Sequence, residues 1–92
     1  MERKRGRQED DGRRNIIGTR LREARLGAAP PLSMATLSRR LLLEYNVDLS
    51  ANAIAKIEHG TRYANDYEVA AVARALNIRG DWFLGLTEHP QP

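Results

Sequence analysis

The stretch Ser50-Ala51-Asn52-Ala53-Ile54-Ala55-Lys56-Ile57-Glu58-His59-Gly60 decides how the rest of this chain is read. Serine is a good helix N-cap because its hydroxyl accepts a hydrogen bond from an otherwise unpaired N–H of the first turn. Glycine suits the left-handed residue that closes a helix. The two together predict a capped helix over residues 51–59. A helix this short is unstable alone in water, so it must dock on others. Ala53, Ile54 and Ile57 form its apolar edge. Docking that edge leaves Asn52, Ala55, Lys56 and His59 on an outer face that is small, polar and free of acid.

Upstream, Ser33 is a candidate N-cap for a preceding helix, with Leu37, Leu41 and Tyr45 on one face and Arg39 and Arg40 projecting elsewhere. Asn46-Val47-Asp48 closes that helix and begins the link to Ser50. Further back, Asn15 is a candidate N-cap. Ile17, Leu21 and Ala24 then follow helical spacing until Gly27 and Pro30-Pro31 force an extended segment. Downstream, residues 61–65 read as a loop. Asn65 followed by Glu68 has capping-box spacing. Val69, Val72, Ala73 and Leu76 make the most regular apolar stripe in the chain, and Asn77 and Gly80 bracket its end. A short fifth helix around residues 81–85 offers Trp82, Phe83 and Leu86. The predicted fold class is all-α: five short helices, compact, with no strand. The folded domain spans residues 15–86, between a flexible basic arm at 1–14 and a flexible tail at 87–92 that carries Pro90 and Pro92. The second and third helices, joined by a tight link, form a candidate helix-turn-helix.

Ninety-two residues support one small domain and little else. The chain has no cysteine, so a disulfide framework and a thiolate metal site are excluded. His59 and His89 lie far apart without a carboxylate cluster, so no metal is expected. No apolar run approaches the roughly 20 residues that span a bilayer, and no signal-peptide pattern is present. The expectation is a cytoplasmic protein with no membrane contact. Glu23, Glu44 and Asp48 pair with no nucleophile, so no enzyme, cofactor or small-molecule ligand is expected. The formal charge is +3. Much of it comes from the arm, where Arg3, Lys4, Arg5, Arg7, Arg13 and Arg14 outnumber the acids; the body is nearly neutral. This balance permits nucleic-acid binding without requiring it.

Four pieces of the chain, in this order and spacing, resemble the lambda-repressor-like (Cro/repressor, XRE-type) helix-turn-helix family. They are Ile17-Gly18 leading to Arg25; Leu37 to Leu41; Ile54-x-x-Ile57-Glu58-x-Gly60-x-Arg62; and Glu68 through Ala73 and Leu76 to Asp81-Trp82-Phe83-Leu84. Together they cover most of the folded part. The resemblance implies sequence-specific binding of double-stranded DNA by a transcriptional repressor or regulator, acting as a DNA-associated homodimer. It implies that the second helix crosses the DNA backbone while the third lies in the major groove. Carried over by position, Ser50, Ala51, Asn52 and Lys56 are the base-contact candidates. An asparagine amide matches N6 and N7 of adenine, and a lysine reaches O6 and N7 of guanine. Arg39, Arg40, Thr61, Arg62, Tyr63 and Asn65 are the phosphate-contact candidates. For Arg39 and Arg40 a plain solvated helix face is an equal reading. The resemblance also implies an ion pair between Arg25 and Glu58, and a dimer contact through the fifth helix with Trp82, Phe83 and Leu86. Trp82 and Phe83 read more readily as core. Two features depart from the family's pattern. Met34 stands where a phosphate-holding glutamine is common. The stretch 42–50 is longer than the usual link and reads as an extra helical turn plus a longer connection. The alternative function is a protein-interaction module, antitoxin-like or adaptor, on the same fold.

Overall fold

The structure is a computed structural model and describes residues 16–92. The expected arm at 1–14 and the cap at Asn15 lie outside the described residues. Five helices follow in order: α1 (Ile16–Gly27), α2 (Met34–Tyr45), α3 (Ala51–His59), α4 (Asp66–Leu76) and α5 (Gly80–Phe83). No strand occurs among the described residues.

The helix ends lie where the caps predict. Ser33 Oγ accepts from the Thr36 N–H and Ser50 Oγ from the Ala53 N–H, both at 3.0 Å. Asn65 and Glu68 form a reciprocal capping box at the start of α4. At the other ends Asn46, Gly60 and Asn77 take left-handed backbone angles, φ 56°, 82° and 55°. After α3 the Thr61 N–H reaches back to Lys56 O and the Gly60 N–H to Ile57 O. After α4 the Ile78 and Asn77 N–H groups reach Ala73 O and Arg74 O in the same pattern. These paired bonds satisfy carbonyls that the helix itself leaves open and turn the chain sharply.

Helix α3 packs against both α1 and α2, α2 also packs on α4, and α5 closes against α1 and α4. Leu21, Leu37, Leu41, Ile54, Ile57 and Phe83 meet in one core. Two residues of the α2–α3 link belong to it as well: Leu49 is 2% exposed and Val47 is buried. The extra turn of α2 to Tyr45 is present, and the connection after it is anchored at alternate residues, a pinned segment rather than a slack one. On α4 the buried set is Ala71, Val72 and Ala73, while Val69 and Leu76 are half-buried. Three neighbouring helices surround α4, so its buried stripe is displaced toward Ala71.

The core reading of Trp82 and Phe83 holds, and their part in the dimer contact needs correction. Trp82 and Phe83 are 4% and 1% exposed, so they fill the core and are closed to a dimer contact. Leu86, at 76% exposure, and half-exposed Leu84 stay outside. The tail at 87–92 makes contacts with the folded part as far as Pro90. Arg20 Nη1 donates to Trp82 O at 2.6 Å and to Thr87 O at 3.0 Å. Its guanidinium carbon lies 4.8 Å from the centre of the Trp82 ring. The Arg79 N–H donates to Pro90 O at 2.8 Å. Proline lacks a backbone donor but keeps its carbonyl, and the Arg79 N–H uses that of Pro90.

The pinned link gives a direct test. Leu49→Ala should lower unfolding free energy by about 2–5 kcal/mol. Leu43→Ala, at a side chain 74% exposed, should stay within about 0.5 kcal/mol. Urea melts of the two variants compare them; equal midpoints would show that the link is not part of the core.

Candidate nucleic-acid interface

Burial separates α3 into two sides. Ile54, Ile57 and Glu58 are buried, and Asn52, Lys56 and His59 are exposed. Ala51, Ala53 and Ala55 lie between. Asn52 and Lys56 are four residues apart, so they stand one above the other on the helix. Among the described residues neither side chain has a hydrogen-bond or ion-pair partner within the chain. Ser50, the remaining base-contact candidate, already accepts a capping bond from the Ala53 N–H, which fixes the orientation of its hydroxyl.

The inner side of α3 is held by a pair of charges. Arg25 Nε donates to Glu58 Oε2 at 2.8 Å and Nη2 donates to Oε1 at 3.0 Å. Both side chains are buried. Arg25 Nη1 donates to Leu32 O at 2.8 Å, and the Leu32 N–H returns to Arg25 O at 3.0 Å. One guanidinium therefore ties together α1, the segment after it and α3. The hydrogen bonds to Glu58 hold Arg25 protonated even more firmly than an ordinary arginine, against the opposing effect of burial.

The loop after α3 is folded onto α4. Arg62 Nη1 and Nη2 donate to Glu68 Oε1 and Oε2 at 2.9 and 3.0 Å. Arg62 Nη1 also reaches Tyr63 O at 3.1 Å. Glu68 Oε1 accepts the Asn65 N–H at 3.1 Å, and Asn65 Oδ1 accepts the Glu68 N–H at 3.0 Å. Thr61 Oγ1 donates to Lys56 O at 3.2 Å. Of the four loop residues expected at phosphate, three are thus engaged inside the chain. Arg62 and Asn65 shape the loop, and Tyr63, 80% exposed, presents a whole side chain. Sequence reasoning missed the Arg62–Glu68 pair. The capping box fixes where the Glu68 carboxylate sits, but nothing in it says that Arg62 folds back onto that carboxylate.

On α2, Arg39 is exposed and has no partner among the described residues. Arg40 is half-buried, and its Nη1 lies 3.4 Å from Ala75 O at the end of α4. Arg39 and Lys56 are thus the exposed cations of α2 and α3, while Arg40 and Arg62 bond within the chain. Glu44 and Asp48 are also exposed. Met34 is half-buried against the core, anchoring the first turn of α2 by packing.

Among the described residues no cluster of three His, Asp or Glu side chains could hold a metal ion. None of the helices described is long and apolar enough to cross a membrane. No protein-family model, curated protein or solved structure matches this chain.

Two measurements check the electrostatics. Glu58→Leu alone strands a buried guanidinium and should cost about 3–5 kcal/mol, whereas Arg25→Met with Glu58→Leu should recover much of that loss. A double variant no more stable than the single would show that the pair is not the source. Second, Arg62 holds the Glu68 carboxyl below its usual range, aided by the Asn65 N–H and opposed by burial. Its stabilisation is therefore complete above the unfolded carboxylate value, about pH 4.3. It fades as pH falls through the lower folded value. Glu68→Gln should flatten the acid limb of stability against pH; parallel limbs in the two proteins would contradict this.

Proposed function

We propose that this chain binds double-stranded DNA sequence-specifically, as a lambda-repressor-like helix-turn-helix protein acting as a transcriptional repressor or regulator. In this reading α3 lies in the major groove and α2 crosses the phosphate backbone. The observation that carries it is the two-sided character of α3. Its inner side is buried and clamped through Glu58, while Asn52 and Lys56 stand unpartnered on the outer side. A helix held rigidly with free donors outward meets the requirement for reading base edges. Arg39 and Tyr63 supply backbone contacts, which position the protein without carrying sequence information.

A single copy offers few base contacts, so the reading includes a homodimer on two half-sites about 34 Å apart. Leu84 and Leu86 are the apolar side chains beyond α5 that remain exposed for such a contact. A second reading keeps specific support. Arg40 and Arg62 are engaged internally, and Leu42, Leu43 and Glu44 are exposed on α2. Those features suit a protein partner, as in an antitoxin-like or adaptor role.

Selection from random duplex DNA separates the two. The DNA reading expects an enriched palindromic site whose binding weakens steeply with salt. Lys56→Ala should cost about 1–3 kcal/mol on that site. A failure to enrich any sequence would favour the adaptor.

A further inference from the structure

We propose that the cleft where α1 and α4 end binds a small amphipathic amine, with its ammonium at Glu23 and its apolar body against Ala24, Ile78 and Trp82. The proposal goes beyond the DNA-binding reading and departs from the expectation of no small-molecule ligand.

The cleft is built from parts of the chain that are distant in sequence. Ala24 and Gly27 line it from the last turns of α1. Leu76 and Ile78 line it from the end of α4. Trp82, almost wholly buried, meets it from the core. The tail borders it through Pro90, whose carbonyl accepts from the Arg79 N–H. The space is about 320 Å³. That lies at the lower end of the roughly 300–1,000 Å³ of small-ligand sites.

The charge lining this cleft has one sign. A helix C-terminus carries partial negative charge. Two such ends converge here, at Gly27 and at Leu76. The turn after α4 already occupies Ala73 O and Arg74 O, so the direct contact falls to Glu23. The Glu23 carboxylate makes no hydrogen bond or ion pair among the described residues. The neighbouring arginines are committed elsewhere. Arg20 bonds Trp82 O, Thr87 O and Glu88, and Arg79 forks onto Asp81. Neither lines the cleft, nor does Arg74 in the last turn of α4. Asn77 and Gln91 do line it, and their amide oxygens can accept the remaining ammonium hydrogens. An alkyl or single-ring body finds apolar surface on Ala24, Ile78 and Trp82. An anion of the same shape would meet like charge.

The test is a titration of the full chain with phenethylamine, phenethyl alcohol and hydrocinnamate. These probes are similar in shape and are cationic, neutral and anionic. Trp82 is the chain's single tryptophan, so its fluorescence reports on the cleft, and amide shifts locate the binding. The amine should saturate and move the amides of Ala24, Asn77 and Ile78. It should bind about three- to fivefold more tightly than the alcohol, with the carboxylate weakest. Glu23→Gln, at an exposed position, should lower amine affinity to that of the alcohol and leave the alcohol unchanged. The proposal is overturned by a titration that does not saturate, by shifts confined to another surface, or by equal affinity for amine and carboxylate. An unchanged amine affinity in Glu23→Gln overturns it as well. None of these results bears on DNA binding, which the selection above tests separately.

Discussion

Everything on the outer side of α3 depends on one buried contact on its inner side, the two-pronged bond between Arg25 and Glu58. Apolar packing from Ile54 and Ile57 supplies attraction, but such attraction has no preferred direction. A guanidinium forked onto a carboxylate has one geometry. Both charges have left water, so neither can relax by swinging into solvent. The third prong, on Leu32 O, extends the same constraint to the segment after α1. Buried pairs of this kind often add little net stability over an apolar replacement. Here the gain is positional: the pair sets how α3 is rotated against α1, and therefore which side chains look outward.

The link before α3 works on the same problem from the other end. Asn46 turns the chain out of α2 in a left-handed conformation, and its N–H and that of Val47 bond back to Leu42 O and Leu41 O. Val47 and Leu49 then insert into the core, and Ser50 caps α3. A longer connection would ordinarily loosen the angle between two helices. This one is tied at both ends and in the middle, and Met34 seats the far end of α2 by packing.

The parts legible in the sequence were the local ones. Ser33, Ser50, Gly60 and the Asn65–Glu68 box announce helix ends because capping chemistry involves residues within a turn of each other. Leu37, Leu41, Ile54 and Ile57 announce a core through spacing alone. The Arg25–Glu58 pair, 33 positions apart, came from family resemblance supported by the helical position of Glu58. What escaped was tertiary. Arg62 looked like a surface cation because nothing local says that Glu68 faces it. Val47 and Leu49 looked like connection because burial of a link depends on where the other helices lie. The tail's contacts were not legible because Arg20, which makes two of them, sits at the opposite end of the chain.

That last contact bears on how the protein is made. Arg20 meets its acceptors at Trp82 and Thr87 across 62 and 67 positions of sequence. A ribosome adding about 5–20 residues per second needs several seconds to travel that distance. Small domains ordinarily fold within that time or faster. Completion of this fold is thus paced by translation rather than by the chain's own search. Helices α1 to α4 can already pair among themselves, α1 chiefly through α3, while the part of α1 that meets α5 waits for the residues around Trp82. A pause in translation just before Trp82 would leave Arg20 without its acceptors, and that edge of the first helix open beside the machinery that made it.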